Sequence, residues 1–400
     1  MKKPSIALGI QSSKIFFTLS SINAAGSSLV VILGFVYDKV NNVKRVLIFT
    51  TSMGHRSIAE AARAAFKEAG WRVKLVSFEF REATLQYYPA YKLFPTLNKV
   101  GFELTQNGKF ENLFRKIFKV RKLGKLENVV KRFEPDLVLS TYFLYNPPLE
   151  KLAKECKFKL FNYVCNPRTF HPLELSKKAH LNLVYDEEAR KRALELGVAD
   201  EKVKAIGWLV RPRFYEVEEI PGELFTLTVS AGSLGAQGFV KFLPIFSKLS
   251  KPIHLNLIAG SNKMLFNIFK SYQKMTRAFE DFVQNKNEVE VYGFTEEIDK
   301  LMAQSHVVAG KAGPNLLFES VAVGRPFLAL SHIPGQEDGN LEIIDEKNLG
   351  WVAEQPSKAR EILELLMEAV TFFEEKKKAL EEERSYIRTV QRNLINYAVR

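Results

Sequence analysis

Residues 309–340 read AGKAGPNLLFESVAVGRPFLALSHIPGQEDGN, a stretch whose residue types suit the three parts of one ligand. Gly313 and Pro314 spell a tight turn into a helix, with proline at the first helical position, where a missing N–H costs nothing. The unpaired N–H groups of such a helix start attract phosphate. Glu319 follows roughly one turn later, where a carboxylate can accept both hydroxyls of a ribose. Gly324 and Arg325-Pro326 end the helix. On the loop after the next strand, Gln336, Glu337 and Asn340 gather the amide and carboxylate groups that hold sugar hydroxyls. Phosphate, ribose and sugar together make a nucleotide-sugar donor. A glycine turn before a helix also serves most α/β domains, and a first-turn glutamate ordinarily complements the helix dipole. The polar density of residues 334–340 is what favours the ligand.

Three further loops carry candidate chemistry. Residues 50–57, TTSMGHRS, put Gly54 and His55 at the start of a helical pattern. A histidine there either bonds the helix start or works as a base near neutral pH. Residues 230–237, SAGSLGAQ, hold Gly232, Ser233 and Gly235 in a weak phosphate-loop pattern, without the spacing of the P-loop or the dinucleotide fingerprint. Phe294 belongs to a strand-to-helix turn, Gly293-Phe294-Thr295, whose backbone can face a nucleobase.

Those loops need a scaffold, and the chain is long enough for two. Four hundred residues exceed one hydrophobic core. From Lys44 the sequence alternates short apolar strands with amphipathic helices, which predicts parallel sheets. Strands are expected at 45–50, 72–78, 136–141, 159–165, 181–185 and 203–208, then at 225–230, 253–259, 289–294, 306–309 and 326–330. The fold class is therefore α/β, with two Rossmann-like, doubly wound domains facing a cleft and ligands at the carboxyl ends of the strands. The expected divisions are an extension over 1–43, a first domain over 44–212, a proline-rich and acidic linker over 213–222, a second domain over 223–385 and a C-terminal helix over 386–400.

Composition narrows the partners. The net charge of +13 calls for an anionic partner. Seven basic residues lie between Lys109 and Lys125 against Glu111 alone. Within that run Phe114, Arg115, Lys116, Phe118, Lys119, Arg121 and Lys122 suit a basic amphipathic helix on an anionic membrane surface, or a core-packed helix with a solvated basic face. No nucleic-acid-binding signature is present, so no nucleic acid is expected. Two cysteines are too few for a disulfide framework, and no Cys/His spacing suits zinc. Residues 15–37 carry no charge and are long enough to span a bilayer. Their serines leave a membrane anchor, a signal-like segment and a plain extension all open.

The segments VLIFTTSMGHRSIAEA, VRPRF, VYGFTEEIDKLM, KAGPNLLFES and IPGQEDGN resemble the monogalactosyldiacylglycerol synthase group of glycosyltransferases. That group is related to the transferase that adds N-acetylglucosamine to the peptidoglycan lipid intermediate. The resemblance runs from about Val46 to Trp351 and implies a GT-B fold, with acceptor in the first domain and donor in the second. It implies inverting transfer of a hexose from a UDP-sugar to a lipid, diacylglycerol above all, at the cytoplasmic face of the membrane, peripherally or through an N-terminal anchor. It implies no cofactor and no metal, and the sequence has no Asp-x-Asp pair. His55 carries over as the general base, Glu319 as the ribose ligand, Gln336 and Glu337 on the sugar. Gly232, Ser233, Gly235 and Gly313 carry over around the diphosphate, and Gly54, Asn166 and His171 on the acceptor side. Several positions depart from the pattern. Ser52-Met53 replaces two glycines, Asn315-Leu316 replaces Gly-Thr, Cys165-Asn166 replaces Thr-Asp, and the tryptophan after His171 is missing. A polyprenyl-linked acceptor, a UDP-sugar 2-epimerase and an inactive nucleotide-sugar-binding relative are the alternative readings.

Overall fold

The computed structural model describes residues 43–51, 54–78, 95–106, 123–231, 236–278, 287–368 and 371–400. The expected extension, the core of the basic segment 109–122 and the glycine loop 232–235 lie outside them.

Two six-stranded sheets, parallel throughout, form the frame. The first contains β1 (Arg45–Thr50), β2 (Arg72–Ser77), β3 (Leu137–Ser140), β4 (Lys159–Tyr163), β5 (Leu181–Val184) and β6 (Val203–Ala205), in the order β2-β1-β3-β4-β5-β6. The second contains β7 (Thr226–Ser230), β8 (His254–Ile258), β9 (Glu288–Tyr292), β10 (Val307–Lys311), β11 (Phe327–Ser331) and β12 (Gly350–Val352), in the order β12-β11-β10-β7-β8-β9. The central strands are continuous apolar runs because helices cover both faces: Val46, Leu47, Ile48 and Phe49 of β1 are all buried. In both sheets the strand order reverses beside the first strand, between β1 and β3 and between β7 and β10. Open α/β sheets bind ligands at such switch points, outside the carboxyl ends of the strands.

The halves share a core. Trp208, just beyond β6, stacks on Phe318 of helix Pro314–Ala322, with ring centroids 5.3 Å apart and planes at 24°. Val46 and Ile48 from the first sheet, Val308 and Phe327 from the second, and Leu380, Val390 and Leu394 from the C-terminal run belong to one buried cluster. The expected boundary at 385/386 falls inside helix Thr371–Arg388, because nothing in Ser385–Arg388 breaks a helix. This helix has already crossed to the first half: Glu383 accepts from the Tyr185 hydroxyl at 2.6 Å, and the Tyr386 hydroxyl donates to the Tyr185 carbonyl at 2.6 Å. Residues 213–216 of the expected linker form one helical turn.

Candidate active site

At the first switch point, helix Gly54–Glu68 starts at the carboxyl end of β1 and buries an alanine-rich face, Ala59, Ala61, Ala62 and Ala65. Its second residue is His55. His55 Nδ1 lies 2.6 Å from the carbonyl oxygen of Thr141, just beyond β3. A carbonyl can only accept, so Nδ1 carries the proton and Nε2 keeps its lone pair. Burial pushes the imidazole down to about 4, against the pull of the Thr141 carbonyl, so it is neutral at neutral pH. The Tyr142 ring packs edge-on at 4.9 Å, and the Thr141 hydroxyl ties back to Thr50 Oγ1 at 2.9 Å. A neutral histidine with a fixed tautomer at a ligand-binding edge is a proton acceptor in waiting.

At the second switch point, Ala312 and Gly313 turn the chain from β10 into helix Pro314–Ala322. Gly313 is the N-cap, in extended backbone geometry, without a side-chain cap. Lys311 reaches the same turn and pairs with Glu337, which also accepts from Ile333 N–H at 2.7 Å. Glu319 lies nearly buried within the helix and receives Arg211 Nη2 at 2.7 Å. Its burial raises the carboxyl, and Arg211 opposes the rise.

The two switch points abut. Asn315 Nδ2 donates to the Gly54 carbonyl at 2.9 Å, while Asn315 Oδ1 accepts from Trp208 Nε1 at 3.3 Å. A Cβ at position 54 would lie 2.9 Å from Asn315 Nδ2, so a side chain there would push the Asn315 amide aside. Farther along, Gly339 N–H donates to Thr169 Oγ1 at 2.5 Å, and a side chain at 339 would overlap Thr169 and Arg168. Lys99 reaches Asp338 at 3.3 Å, and Arg168 bridges Asp186 and Glu346. The loop 333–340 is therefore roofed by the first half.

Of the sequence-derived residues, Gly54, His55, Gly313, Pro314, Glu319, Glu337 and Asn340 lie at or beside the two switch points, with changes of employment. Asn340 is 1% exposed and its amide holds the Ala312 carbonyl at 2.7 Å, so it braces the turn where a sugar contact was expected. Glu337 is spent on Lys311 and Ile333, and Gln336 is half-buried on the same loop. His171 is nearly buried; its Nδ1 accepts from Leu173 N–H and its Nε2 faces Thr105 Oγ1, which makes it the cap of a 3₁₀ turn. Phe294 is 79% exposed beyond β9, an outer strand, away from both switch points. Gly232, Ser233, Gly235 and the membrane-segment residues Phe114 to Lys122 lie outside the described residues. Sequence reasoning missed Thr141, Lys311, Arg211 and Glu174. KAGP and VRPRF contained two of them, but only the fold shows where those side chains point. Among the described residues there is no group of three or more His, Cys, Asp or Glu able to hold a metal ion, and no helix long and apolar enough to cross a membrane.

Residues 55–210 match the monogalactosyldiacylglycerol (MGDG) synthase family, and residues 226–390 match the glycosyltransferase family 28 C-terminal domain. The chain belongs to the MGDG synthase-like glycosyltransferases. It is 24% identical to a processive diacylglycerol beta-glucosyltransferase of Staphylococcus saprophyticus, over 83% of this chain and 87% of that one. It is 25% identical to the chloroplastic monogalactosyldiacylglycerol synthase 2 of Arabidopsis thaliana, over 82% of this chain and 74% of that one. Among solved structures it is similar to MurG of Acinetobacter baumannii, at a TM-score of 0.57 and 14% identity over 89% of this chain and 99% of that one. It is equally similar to a UDP-GlcNAc 2-epimerase from Neisseria meningitidis bound to UDP-GlcNAc, at a TM-score of 0.57 and 14% identity over the same shares. Those likenesses are of fold: GT-B, two Rossmann-like domains. As a member of this family the chain is a hexosyltransferase.

Proposed function

We propose that this glycosyltransferase moves a hexose, galactose or glucose, from a UDP-sugar to diacylglycerol at a membrane surface, with inversion and without a metal ion. The observation that carries the reading is His55, neutral and fixed in tautomer, one residue from the Gly54–Asn315 contact that joins the two switch points. The acceptor hydroxyl gives its proton to His55 Nε2 as its oxygen attacks the anomeric carbon. The bond from that carbon to the diphosphate oxygen breaks on the opposite side, and UDP leaves. The helix N-terminus at Gly313 and the Lys311 ammonium supply positive potential to the departing diphosphate, and the family resemblance assigns the loop 232–235, outside the described residues, to the same group. Glu319 keeps one oxygen beyond its Arg211 bond for the ribose hydroxyls. The half-buried Gln336 faces the sugar, and Glu337 orients Lys311. The relatives' names carry the choice of diacylglycerol.

Membrane contact is assigned to the basic amphipathic segment, residues 109–125. Changing Arg115, Lys116, Lys119 and Lys122 together to Ala is expected to weaken binding to anionic liposomes, at about 1 kcal/mol per charge near the surface. Unchanged binding would remove the segment from the account. The donor is read by incubating the protein and diacylglycerol liposomes with UDP-galactose, UDP-glucose, UDP-N-acetylglucosamine or GDP-mannose and a chelator. A glycolipid from one of the first two is expected. Conversion of the sugar nucleotide without lipid would point to an epimerase instead.

A further inference from the structure

A cavity of about 840 Å³ lies at the amino ends of β7, β10 and β11, the opposite edge of the second sheet from its switch point. That size suits a small molecule. Phe225, His306 and Pro326 form its floor, and residues 221–224 form one wall. Helix Thr371–Arg388 forms another, through Phe373, Lys377, Leu380 and Arg384, whose spacing puts them on one face of the helix.

Two arginines line this space. Arg325 follows helix Pro314–Ala322, and Arg384 stands on helix Thr371–Arg388. Burial, and then the Arg384 charge, press the Arg325 guanidinium below its ordinary range. Among the described residues their hydrogen bonds go only to backbone carbonyls, from Arg325 Nε to Ala303 at 3.1 Å and from Arg384 Nη2 to Tyr215 at 3.3 Å. Arg384 Nε is buried and has no partner. The carboxylates of the cavity, Glu223 and Glu381, are exposed, and neither pairs with an arginine. An arginine beyond a helix end ordinarily complements the helix dipole, which gives Arg325 a structural duty. That duty does not cover Arg384, which stands a full turn before the end of its helix. Two guanidinium groups turned to one space without an acid form a fork for an oxyanion.

The remaining walls suit an apolar body. The His306 ring stacks on Phe225, with centroids 5.3 Å apart and planes at 21°, and Val323, Leu366 and Phe373 adjoin them. His306 Nδ1 accepts from Thr226 N–H at 3.0 Å, so Nε2 carries the proton and adds a neutral donor. We propose that this cavity binds a soluble phosphate monoester, with its phosphate between Arg325 and Arg384 and its apolar body against Phe225 and Phe373. The ligand is soluble because the cavity lies on the edge away from the proposed lipid. Helix Thr371–Arg388 goes on to hold Tyr185 of the first half, so a ligand that bridges the arginines also fastens that helix to the second sheet. The proposal does not depend on the diacylglycerol reading.

The test titrates phenyl phosphate into the full chain in the presence of saturating UDP, which keeps the probe out of the donor site, and reads binding heat and the melting midpoint. Binding and a raised midpoint are expected, with inorganic phosphate at least about tenfold weaker because it buries no apolar surface. Arg384→Gln and Arg325→Gln should each weaken phenyl phosphate at least about tenfold, the scale of one hydrogen bond to a charged group, and leave UDP affinity within about twofold. Leu224→Trp fills the cavity without changing either arginine and should abolish binding, so the test stands even if an arginine variant fails to fold. No heat and no shift in the wild type would overturn the inference, as would an affinity untouched by Arg384→Gln and Leu224→Trp. Binding confined to vesicles containing phosphatidic acid would make a lipid headgroup the source and overturn the soluble ligand. Equal affinity for phenyl and inorganic phosphate would overturn the role of the apolar walls.

Discussion

Thr141 settles what His55 can do. Its carbonyl takes the Nδ1 proton, which makes Nε2 the basic nitrogen, and burial holds the ring below its ordinary value. The sign of the pH effect follows. A histidine at about 4 is a free base throughout the neutral range and protonates only in acid. With diacylglycerol as acceptor, the acid limb of kcat/KM is expected near pH 4, where an unperturbed histidine would put it near 6.5. A limb near 6.5 would contradict the burial of the ring. His55 was legible in the sequence because it stands where a strand runs into a helix. Glu174 was not: a glutamate in His-Pro-Leu-Glu has no pattern of its own, and only folding sets it against Asn166. The absence of an aspartate at 166 read as a loss in the sequence. In space Asn166 and Glu174 are one amide–carboxylate pair.

The turn from β10 into helix Pro314–Ala322 was the most readable element, since Gly313 and Pro314 dictate its start. What it touches was not readable. Asn315, a departure in the sequence, joins Gly54 to Trp208 across the halves. Asn315→Ala removes both bonds and is expected to cost about 1–2 kcal/mol, read as a lower midpoint in denaturant, with a weaker grip on UDP because the turn loses its brace. An unchanged midpoint and affinity would show the contact to be incidental. The strands of both sheets fell where apolar runs placed them, with most ends shifted by one or two residues and β6 ending three residues early. β12 escaped notice because Gly350–Val352 is too short to show a period. Asn340 and Glu337 have a duty the sequence did not show: a polar loop must first satisfy its own turn, and those two side chains do so.

Across the whole molecule, the two sheets contribute one edge each; their switch points meet at Gly54 and Asn315, and the halves touch again where Gly339 meets Thr169. The C-terminal helices close the arrangement by returning from the second half to the first, where Val390, Leu394 and Ala398 are buried. Periodicity gave helices to residues 357–400 but no direction, because the contacts that turn the chain back are remote in sequence, as where Tyr386 bonds the Tyr185 carbonyl. The central claim is that these apposed edges form one transferase site with His55 as its base. It is tested most directly by mixing diacylglycerol liposomes, a UDP-hexose and a chelator with the wild type and with His55→Ala, and measuring glycolipid formed and UDP bound. The account predicts glycolipid from the wild type, a fall of about 10²–10⁴-fold in the variant, and unchanged UDP binding. No glycolipid from the wild type, or an undiminished rate in His55→Ala, would contradict it.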